Sequence, residues 1–195
     1  MKRIFAVVTV LAVLLGNAGV SHFKTYAVEY RYEIDGVYYD FVPWGEPLLC
    51  VYGYNSEAVG PDVTVASEID GYPVTDIGWS AFDGCERLEN ITLPNSVKYI
   101  NDGAFLNCRN LKYAELGAGV QKIGSIAFEF CESLQGVNIP DGVTEIGSYA
   151  FFGCKSLTEI SLPENVAVLF EAVFADCENL AAVNMPGVRQ IGRWA

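Results

Sequence analysis

Residues 123–145 read IGSIAFEFCESLQGVNIPDGVTE, and residues 146–168 read IGSYAFFGCKSLTEISLPENVAV. Ile123, Gly124, Ala127, Phe128, Cys131, Leu134, Val137, Ile139, Pro140 and Val143 recur in the second stretch as Ile146, Gly147, Ala150, Phe151, Cys154, Leu157, Ile160, Leu162, Pro163 and Val166. Working outward, the same frame fits from Ile77 and again from Ile100, so that Cys85, Cys108, Cys131, Cys154 and Cys177 fall at intervals of 23 residues. A fixed period of this length marks a solenoid, in which one coil cannot bury its apolar face alone and neighbours supply the rest. The second copy departs at Leu116-Gly117, where proline is lost. The fifth, from Leu169 to Gln190, is one residue short and has Phe170 at the glycine position.

Within a coil, Leu88-x-x-Ile91-x-Leu93 alternates as a short strand should, and Pro94 ends it. Asn95-Ser96 reads as a turn and Val97–Ile100 as a second short strand. The run x-x-Ala81-Phe82-x-x-Cys85 suits one helical or 3₁₀ turn returning to the start. Stacked coil on coil, such strands form parallel sheets with a spacing of about 4.8 Å.

These residues resemble the BspA-like leucine-rich-repeat proteins, the bacterial class with 23-residue repeats. The resemblance rests on I-G-x-x-A-F-x-x-C-x-x-L-x-x-I-x-L-P and covers roughly residues 61–195. It implies a β-rich right-handed solenoid of leucine-rich-repeat type, with about five full coils, an atypical first coil and a truncated sixth at Ile191–Ala195. The first coil carries an insertion, since Val63 to Ile77 spans 14 residues where Ile91 to Ile100 spans 9. The resemblance also implies export or display at the cell surface, with adhesins that bind host proteins among the members. Because the chain stops within a sixth copy, a piece of a longer protein is expected.

The N-terminus supports export by itself. Met1, Lys2 and Arg3 precede the apolar run Ile4–Leu15, which suits a secretory signal and is shorter than the roughly 20 residues of a membrane span. Cleavage after Ala18 or after Ala27 fits the small-residue rule, with Ala27 favoured; an uncleaved anchor is the alternative. Residues 1–27 are thus read as a signal peptide, with no membrane span after its cleavage and a secreted or cell-surface product. Residues 28–60 hold Tyr30, Tyr32, Tyr38, Tyr39, Phe41, Trp44, Tyr52 and Tyr54, with turns at Asp35-Gly36 and Trp44–Pro47. This segment is read as a small antiparallel β-hairpin cap over the first coil; an aromatic platform for a sugar or peptide is the alternative.

Composition narrows the chemistry. The 195 residues carry 12 Lys and Arg against 24 Asp and Glu, a formal charge of -12, which disfavours a nucleic-acid partner. The single histidine, His22, leaves with a signal cleaved after Ala27, which removes imidazole-based triads and zinc sites. No phosphate loop, calcium loop or C-x-x-C spacing is present. The expectation is no catalysis, no cofactor and no metal. The five in-register cysteines are read as a ladder of free, buried thiols, with disulfides or metal as alternatives, and Cys50 lies outside the register.

What remains is surface. Outward positions are expected at Asn90/Thr92, Tyr113/Glu115, Gly136/Asn138, Glu159/Ser161 and Ala182/Asn184 in one strand column, and at Lys98/Tyr99, Gln121/Lys122, Thr144/Glu145, Ala167/Val168 and Arg189/Gln190 in the other. Neither column repeats one ligand-binding group. Candidate partner-binding residues are Tyr99 and Tyr113 as anchors, with Glu115, Asn138, Lys98 and Lys122. The function expected is a binding module for extracellular proteins or glycans. The alternative is a spacer or stalk within a larger surface protein or secreted enzyme. The chain is expected to be monomeric unless its open last coil associates.

Overall fold

Apolar residues at repeat positions become vertical ladders when the coils stack, and the computed structural model shows this for residues 32–42 and 47–195. The export signal, both cleavage sites, His22, Tyr30 and the turn residues Trp44–Glu46 lie outside the described residues. Three strands, β1 (Tyr32–Ile34), β2 (Val37–Phe41) and β3 (Leu49–Tyr54), form an antiparallel meander ahead of the coils. The first hairpin turns on Asp35-Gly36, both at positive φ (50° and 80°), the backbone that Asp-Gly adopts at small steric cost.

The coils begin with β4 (Asp62–Thr64), β5 (Glu68–Ile69) and β6 (Tyr72–Ile77). The insertion anticipated between Val63 and Ile77 is the β5–β6 hairpin, turning on Asp70-Gly71 with φ of 53° and 82°. Each later coil gives a three-residue strand and a two-residue strand. These are β7 (Asn90–Thr92) and β8 (Tyr99–Ile100), β9 (Tyr113–Glu115) and β10 (Lys122–Ile123), β11 (Gly136–Asn138) and β12 (Glu145–Ile146), β13 (Glu159–Ser161) and β14 (Val168–Leu169), then β15 (Ala182–Asn184) and β16 (Gln190–Ile191). Two parallel ladders result. One runs β4-β7-β9-β11, and the other continues the cap as β3-β6-β8-β10-β12. Both lapse at the same step, between the coils of Cys131 and Cys154, and resume as β13-β15 and β14-β16.

The third side of each coil corrects the expectation of a helical or 3₁₀ turn: among the described residues there is no helix. The amides of Ala81, Asp83 and Cys85 bond three residues back, to Gly78, Ser80 and Phe82, while those of Ser80, Phe82 and Gly84 bond across to Asp102, Ala104 and Leu106 of the next coil. A helix would spend every amide internally; here alternate amides join coils. The alternation holds Ser80, Gly103, Ile126, Tyr149 and Ala172, and likewise Gly84, Asn107, Phe130, Gly153 and Asp176, at positive φ.

The core is a column of identical side chains. Phe82, Phe105, Phe128, Phe151 and Phe174 stack with ring centroids 5.3, 5.0, 5.3 and 5.7 Å apart. Ile77, Ile100, Ile123 and Ile146 line the second ladder from within, fully buried. The repeated glycine marks the closest coil-to-coil approach, since a Cβ on Gly124 or Gly147 would overlap the backbone of the preceding coil. Gly117, standing where other coils have proline, sits equally tight against Pro94.

Candidate binding surface

Strand alternation places one row of side chains inside and the next outside, and register then decides which outer residues become neighbours. On the sheet that continues the cap, the outer row runs Asp40, Cys50, Asp76, Tyr99, Lys122, Glu145. Lys122 Nζ meets Glu145 Oε1 at 2.8 Å, and this hydrogen bond raises the lysine pKa. Cys50, the thiol outside the repeat register, is therefore a member of this outer row. Burial, then the Asp76 and Asp40 carboxylates, push its pKa up to about 12, and its Sγ donates to the Val51 carbonyl at 3.2 Å. Lys98 and Tyr99 are exposed on this sheet.

The other sheet carries Tyr113, Glu115 and Asn138, so the six candidate residues fall on two different sheets and form no single cluster. Asn138 is engaged in holding coils together: its Oδ1 accepts from the Leu116 amide at 2.6 Å and its Nδ2 donates to the Leu116 carbonyl at 2.9 Å. Glu115 is exposed on β9.

Tyr113 is 52% exposed and stands beside Gly136, its register partner on β11. A Cβ on Gly136 would lie 3.4 and 3.6 Å from one edge of the ring, so the tyrosine leans into the space that the glycine leaves. Its hydroxyl donates to Gln135 Oε1 at 2.7 Å, which fixes the far end. Beyond it opens a shallow depression of about 490 Å³ lined by Tyr113, Gln135, Ser156, Thr158 and Asn179. The depression straddles the step where the strand ladder lapses, with β11 pairing β9 and β13 pairing β15. Asn179 Nδ2 donates to the Lys155 carbonyl at 2.7 Å.

Sequence reasoning found Tyr113 and missed the other four. They precede the strands, outside the two outward positions counted in each coil. Gln135 and Thr158 are repeat equivalents, as are Ser156 and Asn179, so adjacent columns one coil apart build the wall. The outward glycine at 136 was the available signal, because it removes a side chain where other coils place Asn90, Tyr113, Glu159 or Ala182.

Inside, the cysteines are all free. Cys108, Cys131, Cys154 and Cys177 each donate to the carbonyl of the phenylalanine 26 residues earlier, at 3.0 to 3.3 Å. Burial raises the pKa of Cys108 and Cys131. Among the described residues, no group of three or more His, Cys, Asp or Glu side chains could hold a metal ion, and no helix is long and apolar enough to cross a membrane.

The repeat carries the comparison with known proteins. A family profile described as the BspA type leucine rich repeat region, in 6 copies, matches residues 75–195. The chain belongs to this BspA-type leucine-rich-repeat family. Solved structures agree with that assignment. A leucine-rich-repeat protein from Bacteroides ovatus superposes with a TM-score of 0.77 at 30% identity, over 84% of this chain and 44% of the other. A leucine-rich cell surface protein from Faecalibacterium prausnitzii gives 0.69 at 30% identity, over 78% of this chain and 38% of the other. The leucine-rich-repeat protein of T. pallidum gives 0.68 at 28% identity, over 79% of this chain and 82% of the other. The chain thus spans most of one such protein and less than half of the other two. Among curated proteins none matches. In this BspA-type module the repeat positions build the core, and the depression beside Tyr113 is made from positions that vary from coil to coil.

Proposed function

We propose that the chain is an exported module that binds protein or glycan partners at the cell surface and performs no catalysis. The observation that carries the reading is a repeat core built on an unbroken phenylalanine column, whose outer faces differ from coil to coil, with one depression of about 490 Å³ beside an exposed tyrosine. Outer residues that do not themselves join coils, as Asn138 does, can serve recognition because the ladders inside hold the fold. The basic start and short apolar run at residues 1–15 support export, as does similarity to a protein described as a leucine-rich cell surface protein. A stalk role within a longer protein is the second reading, favoured by the short coverage of the Bacteroides ovatus and Faecalibacterium prausnitzii proteins.

Two measurements test this. Fractionation of expressing cells, with N-terminal sequencing, should find the protein outside the cytoplasm beginning at residue 28 or 19. Surface-immobilised protein should then retain ligand from a panel of extracellular-matrix proteins and polysaccharides. Retention of none, together with cytoplasmic location, would defeat the reading.

A further inference from the structure

We infer that the depression beside Tyr113 is a subsite for a neutral glycan, with one sugar ring resting on the tyrosine and its hydroxyls bonded to the polar wall; this rests on the binding-module reading above. Sugars present apolar C–H faces and a rim of hydroxyls, so their sites pair an exposed aromatic with uncharged donors and acceptors. Tyr113 supplies the aromatic, held at one end by Gln135 and leaning over the bare backbone of Gly136. A ring already fixed loses little side-chain entropy on binding. Ser156 and Thr158 supply hydroxyls, and Gln135 and Asn179 supply amides.

Charge selects against acidic glycans. The five lining residues include no carboxylate and no cation. The nearby cations are already paired: Lys112 with Glu89 at 2.6 Å, and Lys155 with Glu132 and Glu178 at 3.8 and 4.0 Å. A formal charge of -12 adds long-range repulsion of uronate or sulfate chains. The openness of the depression suits an internal segment of a chain as well as its end.

The test is calorimetric titration of the full chain with hexamers of α- and β-linked glucan, mannan and galactan, beside polygalacturonate as the acidic comparator. At least one neutral hexamer should bind, and Tyr113→Ala should weaken it tenfold or more. Gly136→Val, which fills the space under the ring, should weaken it comparably, with an unchanged far-UV spectrum and urea midpoint showing that the coil persists. Tyr99→Ala, on the other sheet, should leave it unchanged. Binding of no neutral hexamer, equal binding by Tyr113→Ala, or preference for polygalacturonate would each overturn the subsite. If an extracellular protein is retained equally by the parent and by Tyr113→Ala while the hexamers are not bound, the subsite fails and the binding-module reading stands.

Discussion

The Tyr54 ring stacks on Phe82 with centroids 6.0 Å apart and planes 11° from parallel, and its hydroxyl donates to the Asp83 carbonyl at 3.1 Å. The cap thus adds one more ring to the phenylalanine column and one more bond to its turn. Tyr54→Ala should lower unfolding stability by about 1–3 kcal/mol, within the range for losing a packed aromatic that keeps some exposure. Tyr54→Phe should cost about 1 kcal/mol or less, the hydrogen bond alone. Urea unfolding of both variants checks this; equal losses would mean that the stacking contributes nothing.

Phe128 is held between Phe105 at 5.0 Å and Phe151 at 5.3 Å and is fully buried. Phe128→Ala should cost about 3–5 kcal/mol. Phe174, at the end of the described column and 9% exposed, should cost less when truncated. Because each coil touches only its neighbours, a loss at Phe128 should also split unfolding into two steps, as the halves of a one-dimensional array uncouple. Thermal unfolding followed at two wavelengths would show whether the split occurs.

Most of the core could be read in the sequence because one period repeats every informative position: an apolar residue seen at Phe82 is seen again at Phe105, Phe128 and Phe151. Tyr54 is legible as an aromatic of the cap, but its partner is not, because it belongs to no repeat and only the register of β3 against β6 brings it over Phe82. The helical reading of Ala81–Cys85 failed for a different reason. Spacing shows which residues face inward and is silent on whether an amide bonds within its coil or to the next. The depression at Tyr113 was half legible: its tyrosine stood at an outward position, while Ser156 and Asn179 join it only through stacking across coils.

Gly147 tests how tightly the coils approach. A Cβ there would lie 2.7 Å from Ser125 Cα and from the Gly124 carbonyl carbon, all of it backbone that cannot swing aside. Gly147→Ala should therefore cost about 3 kcal/mol, the upper end for overpacking. Gly84, at φ 67° with nothing within 4 Å of an added Cβ, should cost only the strain of a left-handed alanine, about 1–2 kcal/mol. Urea midpoints of the two alanine variants decide, and a milder loss at Gly147 would contradict the close approach.

The thiol ladder makes stability fall in alkali, and the sign follows from burial. Cys108 and Cys131 keep their protons above the ordinary thiol value of 9.0 because the thiolate would lose its hydration. The unfolded chain releases those protons from about pH 9 upward, so it binds fewer protons than the folded chain and is favoured as pH rises. The contribution of each thiol is complete below pH 9 and is lost above it, at a limiting rate of about 1.4 kcal/mol per pH unit. Cys131→Ala should lower stability at pH 7 through the small cavity it leaves, yet its stability should decline less steeply between pH 9 and 11 than that of the parent. Urea unfolding at half-unit pH intervals gives both curves, and lysine and tyrosine titrations cancel in their difference. Parallel curves would show that the folded thiol ionises as an exposed one does. Alkylation at pH 8 gives a second readout. Cys177, half-buried where Cys85, Cys108, Cys131 and Cys154 are buried, should react first of the ladder, and the remaining ladder thiols only after unfolding.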